Sequence, residues 1–92
     1  MNKENLNPDG TVTIAGVRLT DGAFGSLAAI ATTAEERAAL VLRDVSGLRD
    51  GRTTAEYILR ECLSGADEAH AAGWREYHAA IVQAAQSTGG KS

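Results

Sequence analysis

Few side chains in this sequence could act as nucleophiles, general bases or metal ligands, and their spacing does not bring them together. The one cysteine, Cys62, lies in an apolar stripe of a predicted helix, where a thiol packs as a small hydrophobe with a raised pKa. The two histidines, His70 and His78, share another predicted helix. A zinc ion needs three or four converging ligands. We therefore expect structural contacts from both histidines, with no metal site and no cofactor.

Other patterns imitate catalytic motifs without the context that those motifs need. The carboxylate pairs Glu35–Glu36 and Asp67–Glu68 both open predicted helices, where negative charge complements the helix dipole. Residues Ala85–Ser92 fit the loose phosphate-loop pattern. That loop works between a strand and the start of a helix, whereas a helix precedes it here. No Gly-x-Ser-x-Gly turn of a serine hydrolase is present. The sequence therefore predicts a protein that is not an enzyme.

Composition narrows the class of protein further. The chain has 92 residues, 43% hydrophobic and 23% charged, which is typical of one small globular domain. Its net charge of −3 gives no chain-wide basic surface for nucleic acid. No segment approaches the roughly 18–20 apolar residues of a membrane span, and no apolar signal-peptide core is present. We expect a cytoplasmic protein, outside the membrane, for which nucleic acid is a less suitable partner than protein.

The ends of the chain differ in composition from its middle. Residues 1–10 are polar and predict a flexible leader that ends in an Asp9–Gly10 turn. Residues 87–92 hold Ser, Thr, Gly and Lys and predict a flexible tail. Residues 11–86 are then a single domain.

The domain opens with a predicted β-hairpin over Thr11–Thr20. A two-residue turn at Ala15–Gly16 places all four large apolar side chains of this segment on one face, because side chains alternate along a strand. A single straight strand would divide them between two faces. The predicted cross-strand pairs are Val12 with Leu19, Thr13 with Arg18, and Ile14 with Val17.

Four helices are predicted after the hairpin, each with a capping residue at its start. Thr20 caps the first, Thr33 and Thr53 open capping boxes for the second and third, and Ser64 caps the last. Apolar residues recur at helical spacing over residues 21–31, 34–48, the segment from the Thr53 box to Leu63, and 66–86. The fold class is therefore mostly α: an N-terminal β-hairpin followed by a small bundle of about four helices.

One segment carries a family resemblance. Residues 33–48, with several arginines near their end, resemble the first helix of the promoter −35-reading domain of extracytoplasmic-function sigma factors. The resemblance covers about one-sixth of the chain. It implies a helix-turn-helix over residues 34–63, with arginines on DNA phosphates. In that family a second short helix follows and then a basic recognition helix, whereas residues 66–75 place acid before base here. The implied phosphate contacts are Arg43, Arg49, Arg52 and Arg60.

The aromatic residues indicate a different function. Trp74 and Tyr77 share a stripe of the last helix with Ile81, while Leu40 and Tyr57 point away from the stripes of their own helices. Aromatic side chains beside small ones are typical of interface hot spots. These five residues are therefore a candidate partner-binding surface or homodimer interface. The alternative interpretation places Trp74 and Tyr77 in the core of the domain.

These observations favour a small acidic, non-enzymatic module that binds another protein. In size, acidity and flexible ends the chain resembles small phage-encoded inhibitors of host machinery, such as anti-CRISPR proteins. That resemblance implies acidic side chains that imitate phosphates on a basic partner. The candidates for such contacts are Glu35, Glu36, Glu68 and Glu76. The alternative function is the DNA-binding transcription regulator that uses residues 34–63.

Overall fold

The hairpin is the first element that the sequence predicted in detail, and the structure confirms its register. In this computed structural model, which describes residues 4–90 and the side chains of residues 4–86, strands β2 (Val12–Ile14) and β3 (Val17–Leu19) pair antiparallel with the predicted partners. Ala15 and Gly16 connect them with φ angles of 52° and 86°. Two positive φ angles are the type I′ turn that matches the twist of the strands.

The turn supplies a test with two opposite outcomes. Ala15 pays the steric cost of a left-handed conformation that asparagine tolerates better, so Ala15→Asn should raise the free energy of unfolding by about 0.5–1 kcal/mol. Gly16→Ala should lower the free energy of unfolding by a similar amount. An added Cβ at Gly16 would meet no atom within 4 Å, but the φ angle of 86° is strained for alanine. Urea unfolding of both variants measures the two effects. A destabilised Ala15→Asn variant would contradict the turn assignment.

A third strand extends the sheet into the predicted leader. Strand β1 (Glu4–Leu6) pairs antiparallel with β2, so the strand order is β1-β2-β3. The expectation of a flexible segment over residues 1–10 is therefore corrected for residues 4–6, and residues 1–3 lie outside the described part of the chain. The side chain of Arg37 holds this strand, because its Nε donates to Glu4 at 2.5 Å and its guanidinium lies 5.2 Å from the Phe24 ring centroid.

The connection between β1 and β2 explains why the sequence was misinterpreted there. The Asp9–Gly10 turn is present, with Gly10 at φ 91°, but it joins two strands. The Asn7 Nδ2 donates to the hydroxyl oxygens of Thr11 and Thr13, both at 2.9 Å. Asp9 accepts from the Thr11 backbone at 3.0 Å. These bonds order a polar segment without apolar side chains, which hydrophobic periodicity cannot detect.

The four predicted helices are present, so the fold class is confirmed. Their bounds are α1 (Asp21–Ile30), α2 (Ala34–Asp50), α3 (Ala55–Leu63) and α4 (Glu68–Gly90).

Two of the four predicted caps differ from expectation. Thr20 and the Thr33 capping box are confirmed. The N-cap of α3 is Thr54 rather than Thr53. At the start of α4 the Asp67 carboxylate accepts from the His70 backbone at 3.1 Å, a role that the sequence analysis gave to Ser64. Helices α3 and α4 therefore both begin later in the sequence than predicted.

The last helix also extends beyond its predicted end. The backbone of residues 87–90, which were assigned to a flexible tail, continues α4 to Gly90. Residues 91 and 92 lie outside the described part of the chain.

Helix α4 is the central element of the fold. It packs against α1, α2 and α3, and β3 lies across it. The closest approach is to α1, where the Ser26 hydroxyl donates to the His70 carbonyl at 2.9 Å and Gly73 faces Gly22. Beside α3, the His78 Nε2 lies 2.8 Å from the Ala55 carbonyl oxygen. The largest fully buried side chains are those of Tyr77, Ile14, Leu19, Leu27, Ile81, Val41 and Ser26.

Candidate functional site

The predicted aromatic interface on α4 is corrected by the structure. Trp74, Tyr77 and Ile81 are 4%, 0% and 0% exposed, so they form the core of the chain and offer a partner almost no surface. The physical reason is the central position of α4, because three helices and the sheet enclose the stripe that these residues share. The alternative that the sequence left open, a core position, is the one that the structure shows.

Leu40 and Tyr57, the other two predicted interface residues, line a surface groove. The groove consists of two adjoining clefts that share Arg43, Asp44, Glu61 and Cys62. We refer to the whole as the α2–α3 groove.

The two clefts of the groove have different walls. The first, called the Thr53 cleft, has a volume of about 340 Å³ and lies between α2 and α3. Arg52, Thr53 and Tyr57 contribute to its wall. The second, called the Trp74 cleft, has a volume of about 310 Å³ and reaches from α2 to α4. Its apolar wall includes Ile30 and Leu40. Both clefts have mainly apolar walls, and the charged side chains of Arg43, Asp44 and Glu61 lie where they adjoin.

Hydrogen bonds from Tyr77 and from Arg43 converge on Asp44, which lines both clefts of the groove. The Tyr77 hydroxyl donates to Asp44 Oδ2 at 2.6 Å, and Arg43 donates to Asp44 Oδ1 from Nε and Nη2 at 3.3 and 3.2 Å. The Asp44 side chain is 8% exposed, whereas that of Arg43 is 72% exposed. The buried carboxylate therefore holds an exposed guanidinium at the mouth of the groove. The sequence does not predict the burial of Asp44, because a polar residue in a helix gives no signal of its burial.

The environment of Tyr77 keeps its hydroxyl protonated. Burial raises the pKa of Tyr77 far above its ordinary value, and the negative charge of Asp44 raises it further. The edge of the Trp74 ring packs against Tyr77, with centroids 5.4 Å apart and an interplanar angle of 89°. Tyr77 is therefore a fixed hydrogen-bond donor to Asp44 rather than an acid.

Cys62 lies in the wall of the groove, where it lines both clefts. It is half-buried rather than fully buried in the core. Loss of solvent raises the pKa of its thiol to about 11, and the charge of Asp44 adds to the effect. The thiol is therefore neutral near pH 7, where the thiolate needed for nucleophilic attack is scarce.

The raised pKa values of Cys62 and Tyr77 predict a loss of stability in alkali. An acid whose pKa is raised by folding stabilises the fold below its unfolded pKa, and this contribution is lost as the pH rises towards the folded pKa. For Cys62 this window runs from about pH 9 to about pH 11. Urea unfolding at pH 8 and pH 10.5 should show a lower free energy at the higher pH. The Cys62→Ala variant should show a smaller decrease, and an unchanged decrease would contradict the thiol's contribution.

Two of the predicted acidic contact residues, Glu36 and Glu76, already accept hydrogen bonds from other residues of the chain. Glu36 completes the capping box and accepts from the backbones of Thr33 and Thr32, which lower its pKa. Glu76 accepts from the Thr20 hydroxyl beside the start of α1. Glu35 and Glu68 are exposed at the starts of α2 and α4. Glu35 and Glu36 are neighbours on α2, Glu68 and Glu76 lie on α4, and the role of all four as phosphate imitators stays a prediction.

The arginines of the helix-turn-helix alternative are divided between two settings. Arg43 and Arg52 line the Thr53 cleft, and Arg52 pairs with Asp50 at 2.9 Å. Arg49 and Arg60 are exposed outside the groove. Residues 66–75, which take the position of the recognition helix in that resemblance, expose Asp67 and Glu68 at the start of α4. Acidic side chains at that position repel phosphates, and DNA binding stays an untested alternative.

Within residues 4–86, no group of three or more His, Cys, Asp and Glu side chains is placed to hold a metal ion. None of the described helices is both long enough and apolar enough to cross a membrane.

Fold and site together define a class: a small α-rich domain with an N-terminal three-stranded sheet and a two-part groove on its helical side. The chain matches no protein-family model, no curated protein and no solved structure.

Proposed function

We propose that the chain is a non-enzymatic protein-binding module that holds a segment of its partner in the α2–α3 groove. The observation that carries the proposal is the exposure of large apolar side chains at this groove. Ile30 is 65% exposed and Tyr57 is 52% exposed, and they line the Trp74 cleft and the Thr53 cleft respectively. Tyrosine and arginine side chains are enriched in interface hot spots, and exposed apolar side chains beside them add area that a partner can bury.

The geometry also supports a preorganised interface. Arg43 pairs with Asp44, and Asp44 accepts from Tyr77, so the guanidinium at the mouth of the groove has a preferred orientation before a partner binds. The Trp74 cleft, at about 310 Å³, is large enough for one apolar side chain of the partner. A segment with an apolar anchor therefore fits this groove.

In its specific form, the proposal is an inhibitor that acts in the cytoplasm, of the phage-encoded kind that blocks host machinery. Such an inhibitor would act by occupying a functional surface of a larger protein. A second copy of the chain is the alternative occupant, and the two occupants are distinguished by experiment.

The test uses matched substitutions of exposed apolar residues. Ile30→Ser and Tyr57→Ala remove side chains that line the groove, whereas Leu42→Ser removes one that is 53% exposed on α2 and lines neither cleft. A partner captured from nuclease-treated lysate of the source cell is purified and titrated with each variant by calorimetry. We expect both groove variants to weaken binding by about tenfold or more, and Leu42→Ser to leave it unchanged.

Three results would count against the proposal. The first is equal affinity for the groove variants and the native chain, and the second is an equal loss with Leu42→Ser. The third is recovery of nucleic acid alone, which would favour the transcription regulator. Sedimentation of the native chain decides between the occupants, because a dimer that Ile30→Ser and Tyr57→Ala dissociate would identify a second copy.

A further inference from the structure

The outer edge of strand β1 carries backbone groups that the fold does not pair. In an antiparallel sheet, residues that exchange two hydrogen bonds with their partner alternate with residues that exchange none. The Asn7 N–H donates to the Thr11 carbonyl at 2.8 Å, so Asn5, two residues earlier, is again a bonded position towards β2. The N–H and C=O groups of Glu4 and Leu6 therefore point away from β2. No residue of the described part of the chain hydrogen-bonds to these outward groups.

The side chain of Leu6 provides a second and independent observation. Leu6, Val12 and Leu19 lie opposite one another in a row across the sheet. Leu19 is fully buried, Val12 packs partly buried against the core, and Leu6 is 80% exposed. Because side chains alternate along a strand, this row shares its face with the fully buried Ile14. The apolar row therefore extends from the core to an edge strand whose own apolar side chain lies in solvent.

The charge on this edge is compensated within the chain. Natural edge strands are often protected from pairing by a charged side chain, and β1 carries the carboxylate of Glu4. Arg37 donates to that carboxylate from both Nε and Nη2, and the side chains of this pair are only 13% and 21% exposed. The carboxylate therefore repels a second strand less than an unpaired charge would.

The free groups are symmetric about Asn5, so a second copy of β1 is complementary to them. When two β1 strands run antiparallel with Asn5 opposite Asn5, Glu4 of each strand lies opposite Leu6 of the other. Each of these pairs exchanges both backbone hydrogen bonds, so every outward group of Glu4 and Leu6 finds a partner. The two Leu6 side chains become diagonal neighbours on one face of the sheet, roughly 7–8 Å apart.

We propose that β1 pairs with β1 of a second copy, so that two three-stranded sheets join into one continuous antiparallel sheet in a homodimer. Strand β1 has three residues, so the contact is smaller than the roughly 1,200–2,000 Å² that stable complexes bury. The dimer is therefore weak and reversible, with a Kd of about 0.1–1 mM. No residue of β1 lines the α2–α3 groove, so this pairing is independent of the proposed function and leaves two grooves per dimer.

Two measurements on the native chain test the association and its register. In sedimentation equilibrium from about 10 µM to about 2 mM, the monomer should predominate at the lowest concentration, and more than half of the chains should be dimeric at the highest. Isotope-filtered NOE spectra of mixed ¹³C-labelled and unlabelled chain should connect Asn5 Hα of one copy with Asn5 Hα of the other. The Cα atoms approach to about 4.5 Å at such an unbonded pair.

Variants of the exposed leucines separate the edge from other surfaces. Leu6→Glu places a carboxylate opposite Glu4 of the second copy and should raise the dimer Kd at least about tenfold. Leu6→Pro removes an outward N–H that pairing with β2 does not use, and should raise the Kd by about as much. Leu42→Ser changes a leucine that is 53% exposed on α2 and should leave the Kd unchanged. Circular dichroism at the lowest concentration checks that each variant keeps the native fold.

Four results would overturn pairing at this edge. The first is a native chain that stays monomeric at about 2 mM, and the second is an NOE pattern that places Asn5 opposite another residue. The third is a dimer that neither Leu6→Glu nor Leu6→Pro weakens. The fourth is a dimer that only Ile30→Ser and Tyr57→Ala dissociate, which would place the second copy in the groove. Partner binding that Ile30→Ser abolishes, in a chain that still dimerises through Leu6, would support both proposals separately.

Discussion

Replacing Gly73 by alanine should destabilise the chain by about 2–4 kcal/mol. An added Cβ at this position would overlap the Ser26 hydroxyl and the Gly22 carbonyl oxygen, and would lie 3.0 Å from the Gly22 carbonyl carbon. Two of these atoms belong to the backbone of α1, so the helices α1 and α4 must separate to admit the methyl group. Overpacking of this kind costs more than the gain of about 1 kcal/mol that alanine brings to a helix.

A matched substitution in α1 makes this expectation specific. Gly25 is exposed, and an added Cβ would meet no atom within 4 Å. Gly25→Ala should therefore stabilise the chain by about 0.5–1 kcal/mol, because it restores helix propensity without a clash. Urea unfolding measures both variants. If Gly73→Ala were as stable as the native chain, the close approach of α1 and α4 would be incorrect.

Removing the hydroxyl of Tyr77 should cost about 2–3 kcal/mol. Tyr77→Phe leaves the shape of the core intact and deprives Asp44 Oδ2 of its donor at 2.6 Å. Asp44 is 6% exposed, so water replaces the lost bond poorly. Hydrogen bonds to charged groups contribute about 1.5–3 kcal/mol, and a buried acceptor left without a partner adds a desolvation cost.

An exposed tyrosine and a double mutant serve as controls for this effect. Tyr57→Phe alters a side chain that is 52% exposed and should change the free energy of unfolding by less than about 0.5 kcal/mol. Combining Tyr77→Phe with Asp44→Ala should cost less than the sum of the single changes, because both members of one bond are removed. Additive losses, or a Tyr77→Phe variant as stable as the native chain, would show that the bond does not stabilise the fold.

The parts of this fold that the sequence determined are those set by neighbouring residues. The register of β2 and β3 follows from alternation across the two-residue turn at Ala15–Gly16, and the structure has the predicted pairs. The Thr33 capping box likewise involves residues within one helical turn. In both cases the interacting groups are so close in the chain that the pattern alone selects one arrangement.

Where the interacting residues lie further apart in the sequence, the pattern of residue types no longer determined the structure. Thr53 and Thr54 both offer a capping hydroxyl, and in the structure Thr54 is the cap while Thr53 packs on Gly47 of the preceding helix. Strand β1 pairs with β2, and its Glu4 side chain also binds Arg37, which lies 33 residues further along the chain. Neither choice leaves a signal in the periodicity of the segment that contains it.

Only the tertiary structure decided which faces are covered and what the uncovered ones bring together. An amphipathic stripe shows that a helix buries one side, but not how many neighbours enclose it. The stripe of Trp74 and Tyr77 became core because α4 lies at the centre of the other elements. The α2–α3 groove combines Ile30, Arg43 and Thr53 from separate segments. Its position follows from the packing of helices on one another, a property of the assembled chain rather than of any one of its segments.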